Sequence, residues 1–121
     1  MKNVFLVGAG GFIGANLRYI LSIYIDNYNR FTFPFSTLSV NFIGCLALGY
    51  VIGLDTIKTI SLPVKQFVLM GILGGFTTFS AFGLESFNLI KSGNYKLSML
   101  YILSSIVLSL IGILIGSIFA K

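Results

Sequence analysis

The chain has 121 residues, 56% of them hydrophobic and only 9% charged, with a mean hydropathy of +0.99. Soluble domains carry roughly 25% charged residues, so this chain cannot clothe a water-facing surface. Eight Lys+Arg against three Asp+Glu give +5, too few charges for a nucleic-acid groove. With no His and a single Cys45, the composition excludes a disulfide framework, a Cys/His zinc site and a His-based catalytic triad.

That length allows one domain. Four apolar stretches approach the ~20 residues that cross a bilayer core: about 4–24, 35–54, 66–90 and 97–120. They predict an all-α integral membrane domain over residues 1–121. Period-2 alternation is absent, and a barrel needs more strands than the chain holds. A cleaved signal peptide is not expected, because the first span is long and three others follow.

The first span opens Val4-Phe5-Leu6-Val7-Gly8-Ala9-Gly10-Gly11-Phe12-Ile13-Gly14, with Asp26 beyond it. Gly8, Gly11 and Gly14 imitate a dinucleotide fingerprint. No later segment alternates strands with amphipathic helices, so the fingerprint is refused. In a membrane helix Gly10 and Gly14 instead form a GxxxG that lets backbones approach closely. The spacing recurs as Gly49/Gly53, Gly71/Gly75 and Gly112/Gly116, one pair per span. Arg18 lies about 8–9 Å inside the boundary at 1.5 Å per residue, the same depth as Glu85 in span three. Pairing or shared water with Glu85 is one reading, and snorkelling to the interface the other.

Span two places Thr37, Asn41 and Gly44 on one helical face, and Asn41 is costly to bury in lipid. Span three carries Gly71-Ile72-Leu73-Gly74-Gly75-Phe76-Thr77-Thr78-Phe79-Ser80-Ala81-Phe82-Gly83 near mid-membrane. Two glycines followed by two threonines are poor helix material. Two readings stand: a continuous helix packed through small residues, or a break near the middle that frees carbonyls for a cation. Phe79 and Phe82 lie one turn apart just past that point, and electropositive ring edges can solvate a small anion. Span four offers Tyr101, Ser105 and Ser109 in one stripe.

Four spans put both termini on one side. Lys2, Lys58, Lys65 and Lys121 then face Arg30, Lys91 and Lys96, with Arg18 slightly inside. The positive-inside rule gives almost no orienting bias. Either another cue decides, or the chain inserts both ways and pairs with an inverted copy. A unit this small encloses little space for a polar path, which favours a dimer.

The run Gly74-Gly75-Phe76-Thr77-Thr78-Phe79-Ser80-Ala81-Phe82, with Glu85 three residues on, resembles the third-helix motif of the Fluc/CrcB fluoride channels. So do Gly14-Ala15-Asn16-Leu17-Arg18-Tyr19 and Phe33-Pro34-Phe35-Ser36-Thr37-Leu38-Ser39-Val40-Asn41-Phe42-Ile43-Gly44. Length, span count and motif order agree from end to end. The resemblance implies a passive, selective fluoride channel of the cell (inner or plasma) membrane, built as an antiparallel dual-topology homodimer. Through it fluoride leaves the cytoplasm by electrodiffusion. By likeness, Phe79 and Phe82 are the pore phenylalanines and Asn41 an amide donor beside the ion path. Tyr101, Ser105 and Ser109 line that path, with Thr37, Ser80 and Glu85 near its far end. Arg18 faces the vestibule, and carbonyls of Gly74 and Thr77 from both copies hold a central structural Na⁺. Ser36 stands where the family often has Gly, and Ala81 where Ser or Thr is common; both put fine selectivity in doubt.

The rival from another class is a small dual-topology proton-coupled multidrug exporter. Its chemistry needs a titratable carboxylate in the first span, where span 4–24 has only Arg18. A non-transporting assembly or lysis protein would not need buried Asn41. No nucleophile–base pair supports an enzyme.

Overall fold

The computed structural model describes residues 2–121, with side chains from residue 3 onward, so the boundary charge of Lys2 lies outside the described side chains. It is all-helical. Helix α1 covers Lys2–Tyr28 and α2 covers Phe35–Ile57. The third span comprises α3 (Leu62–Lys65), a π-helical stretch (Gln66–Leu73) and α4 (Gly74–Phe76), then α5 (Phe79–Lys91). The last helix, α6, covers Tyr95–Phe119. Four helical spans are long and apolar enough to cross a membrane. Each overruns its apolar stretch at one end or both, and α1 carries Asp26 in its last turn.

The connections are built from local polar chemistry. Asn29 ties the first: its side chain accepts from the Phe31 amide at 3.0 Å and donates to the Phe33 carbonyl at 2.9 Å. Pro34 then opens α2. Asp55 closes the second, accepting from the Ile60 amide at 2.8 Å and pairing with Lys65 at 2.6 Å. The third is a Schellman turn. Gly93 sits at φ +79°, its amide bonds Ile90 and the Asn94 amide bonds Leu89.

Packing follows the glycines. A Cβ on Gly10 or Gly14 would collide with the Phe67 or Ile72 carbonyl, and one on Gly75 would come within 2.6 Å of the Gly11 carbonyl. Helix α1 therefore lies backbone to backbone on the first half of span three. Gly49 and Gly116 seal α2 against α6 in the same way, at the Ile113 and Leu46 carbonyls. The GxxxG pairs thus serve two seams, α1 with span three and α2 with α6, and α5 rests on α6.

Little of the apolar surface is buried by this packing. Val40, Tyr101 and Ser98 are the largest fully buried side chains, while Phe5, Leu110 and Phe79 stand exposed. The accessible surface is 7971 Å², against ~6,400 Å² for a compact soluble chain of this mass. Lipid, or a further protein surface, must cover the difference.

Span three is broken. Thr77 (φ −76°, ψ 156°) and Thr78 (φ −147°, ψ 119°) are both extended, whereas Gly74 is still helical. The continuous-helix reading is thereby set aside. The interruption falls on the threonines and not on the glycines, because β-branched residues sit easily in extended backbone. Gly71 and Gly75 are used for close approach to α1, whereas Gly74 is exposed and makes no such contact.

Candidate functional site

The break is held from two sides. In an unbroken helix the Thr78 amide would bond the Gly74 carbonyl. Here it donates to Asn41 Oδ1 at 2.8 Å, and Asn41 Nδ2 donates back to the Thr78 carbonyl at 3.0 Å. One side chain on α2 thus takes the place of a neighbouring strand. Gly44, one turn on, makes room: a Cβ there would run into the Thr77 methyl. From α1, Arg18 Nη1 donates to the Thr77 carbonyl at 3.3 Å, a cation at the negative end of α4. Thr78 then caps α5, its hydroxyl accepting from the Ala81 amide at 3.3 Å.

Beyond the break, the Phe79 and Phe82 rings lie 5.4 Å apart at 43°. With Asn41, Ser105 and Ser109 they border a cavity of about 240 Å³. Ser105 is buried, and its hydroxyl oxygen has no partner. Asn41 spends one amide hydrogen on Thr78 and keeps a second. An uncharged chamber results, mostly apolar, with Ile106 and Leu110 beside these few dipoles. A second cavity, about 310 Å³, lies on the other side of Phe79 and Asn41, bordered by Gly74, Thr77 and Ser109.

A third cavity, about 520 Å³, brings Arg18, Thr37, Ser80 and Glu85 together. Glu85 accepts from Thr37 Oγ1 at 2.7 Å and from the Tyr101 hydroxyl at 2.6 Å. Both carboxylate oxygens are therefore served by neutral hydroxyls, which replace water at this depth. Arg18 and Glu85 share this chamber without an ion pair; among the described residues the one salt bridge is Lys65–Asp55. Direct pairing of Arg18 with Glu85 is absent, and the guanidinium turns to the Thr77 carbonyl while lining the same cavity as Glu85. Ser80 Oγ lies 3.3 Å from Thr78 Oγ1. Tyr101 is fully buried, its hydroxyl committed to Glu85 and its ring 5.4 Å from Phe82.

The structure thus gathers Asn41, Phe79, Phe82, Ser105 and Ser109 round one chamber, and Arg18, Thr37, Ser80 and Glu85 round another. Tyr101 joins the two through Phe82 and Glu85. Thr78 is the residue the sequence reading passed over. A Thr three positions before Ala81, at the head of a helix, is an N-cap signal that would have found it. Phe33, whose ring meets Tyr101 at 5.6 Å and 85°, carried no comparable signal.

Comparison with known proteins covers nearly the whole chain. Residues 5–117 match the family described as CrcB-like protein, Camphor Resistance (CrcB). A fluoride-specific ion channel FluC of Azobacteroides pseudotrichonymphae genomovar. CFP2 is 41% identical, aligned over 100% of this chain and 98% of its own length. The protein of the same name from Chloroflexus aurantiacus is 41% identical over 96% of this chain and 93% of its own length. That of Parabacteroides distasonis is 38% identical over 100% and 94%.

Proposed function

The chain belongs to the CrcB-like family, and from that premise we propose that it is a multi-pass membrane channel through which fluoride leaves the cytoplasm down its electrochemical gradient. The observation that carries this reading is the broken third span. Its break, bracketed by Asn41, sets Phe79 and Phe82 beside the Ser105 and Ser109 hydroxyls in one uncharged chamber. Fluoride gives up hydration only to groups that replace it, and it must then leave again. The free Asn41 hydrogen, the serine hydroxyls and the ring edges offer that moderate grip. Arg18 stands in the adjoining chamber with the carboxylates of Asp26 and Glu85, so an anion there meets one guanidinium in a cavity of mixed charge. Thr37, Ser80 and Glu85 line that cavity, and buried Tyr101 backs Glu85 from behind. Such a channel performs no covalent chemistry and is not an enzyme.

The finer assembly is an antiparallel homodimer. Its support is the surplus surface, the 83% exposure of Phe79, and a balanced distribution of boundary cations, of which Lys65 is already paired. In that dimer the carbonyls of Gly74 and Thr77 from both copies hold a structural Na⁺. The donor chemistry fits at Gly74: Asn41 takes the amide that would have bonded its carbonyl, and neutral oxygens suit a hard monovalent ion. The Thr77 carbonyl already accepts from Arg18 Nη1 at 3.3 Å, so there the ion takes the second lone pair of an oxygen shared with a guanidinium. Among the described residues no cluster of three or more His, Cys, Asp or Glu competes for a metal. The ion would supply electrostatic attachment between the two broken spans. Drug–proton exchange is not supported: the carboxylate that α1 gains, Asp26, lies in its last turn at the boundary.

The test is efflux from liposomes loaded with fluoride or chloride, read by ion-selective electrodes. Fluoride should leave far faster than chloride. Equal leakage of both ions, or none above empty vesicles, rejects the proposal.

A further inference from the structure

An open apolar groove of about 590 Å³ lies away from the conduction chambers, between the 31–33 connection and the first turns of α2 and α6. Phe31, Phe33, Phe35, Leu38, Leu97 and Leu100 wall it, with Thr32 and Ser104 as its polar members. Asn29 fixes the connection, so Phe31 and Phe33 are held in place and do not trail. The groove sits where two spans leave the membrane, at a depth where an acyl chain is the apolar molecule at hand. Two of the three segments that form its walls follow an exposed cation: Arg30 precedes Phe31 and Lys96 precedes Leu97. Hydrocarbon along the walls and an exposed cation at the head of two of them match a phospholipid whose headgroup is anionic.

The groove also reaches the pore. The Phe33 and Phe35 rings are 4.7 Å apart, Phe33 meets the buried Tyr101 edge-on, and Tyr101 bonds Glu85. We propose that the groove holds an acyl chain of an anionic phospholipid, its phosphate met by Arg30 and Lys96, and that the bound chain steadies Phe33 against Tyr101. Bulk lipid of any kind can wet an apolar surface. The two cations make this groove select a headgroup, and the ring stack makes the selection matter to conduction.

The test uses the whole protein in phosphatidylcholine vesicles with and without phosphatidylglycerol. Retained lipid is counted by native mass spectrometry, and fluoride efflux is measured in both. The expected result is about tenfold preferential retention of phosphatidylglycerol, two cations each contributing a few-fold, together with several-fold faster efflux in its presence. The double variant Arg30→Gln/Lys96→Gln should lose both effects, and Leu100→Trp should plug the groove and expel the lipid with the cations intact. Negative surface charge repels fluoride, so it acts in the opposite sense and on both proteins alike. Equal retention of the two lipids, a preference that survives the double substitution, or an efflux ratio shared by wild type and variant overturns the proposal. Efflux in pure phosphatidylcholine stays measurable in every arm, so failure here leaves the channel reading standing.

Discussion

Replacing Asn41 by Leu, which has the same number of side-chain heavy atoms, removes both hydrogen bonds to Thr78 and also the spare amide hydrogen at the chamber, so hydrogen exchange at Thr78 is the readout that isolates the bracket. The Thr78 amide and carbonyl, half-buried beside two cavities, then lose their partners. Each orphaned buried group costs about 1–3 kcal/mol. Measured polar contacts between membrane helices are smaller, averaging about 0.6 kcal/mol, because the unfolded segment finds other partners. At Thr78 the competing partner is the Gly74 carbonyl, reached only if the helix closes across the break. Two such groups would give about 2–6 kcal/mol if fully buried; half-buried, they give an expected shift toward the closed helix of about 2–4 kcal/mol, roughly 30- to 900-fold in equilibrium. Fluoride efflux should fall by at least an order of magnitude, and the Thr78 amide should change its hydrogen-exchange protection. Asn41→Asp keeps the acceptor for the Thr78 amide and should lose less exchange protection than Leu. Wild-type efflux together with unaltered exchange at Thr78 in Asn41→Leu would refute the bracket as the support of the break.

Phe82→Ile should slow or abolish efflux while the assembly, measured by cross-linking, stays intact; unchanged rates would remove the ring edges from the mechanism. Gly14→Ala should lower thermal stability in detergent by about 1–3 kcal/mol, the cost of overpacking, since the added methyl meets the Ile72 carbonyl. Gly8→Ala, where nothing lies within 4 Å, should leave the melting temperature unmoved. Exchanging Na⁺ for a larger monovalent cation should weaken the dimer in size-exclusion or single-molecule photobleaching measurements; indifference to the cation would count against the Gly74 and Thr77 carbonyls as ligands.

Hydropathy made the four spans legible, since length and apolar content alone decide what crosses lipid. Helix ends were less legible. Asp26-Asn27-Tyr28 reads as a connection, yet at an interface polar residues remain helical as easily as they turn. Composition pointed to the interruption of span three but placed it too broadly, because Gly and Thr are both weak helix formers. Only the packing shows that Gly71 and Gly75 serve α1 and that the threonines bend. The π-helical stretch over Gln66–Leu73 leaves no trace in composition, its i→i+5 bonding being invisible to periodicity over eight residues. Asn41 stood out as a costly residue to bury, but its partner lies 37 positions away, a relation no local pattern contains. Arg18 and Glu85 were placed at equal depth by helical rise. Rise gives height and says nothing of bearing, and the guanidinium found Thr77 instead.

The glycine seams carry a consequence for how this chain tolerates change. Where peptide units touch directly, no flexible side chain stands between helices to absorb a displacement, so α1 and the first half of span three move as one block, as do α2 and α6. Substitutions scattered over the outward skin of either block would leave the geometry at Thr77–Thr78 untouched. A single methyl added along a seam would pry apart the two members of one block and reach the ion's route from a distance.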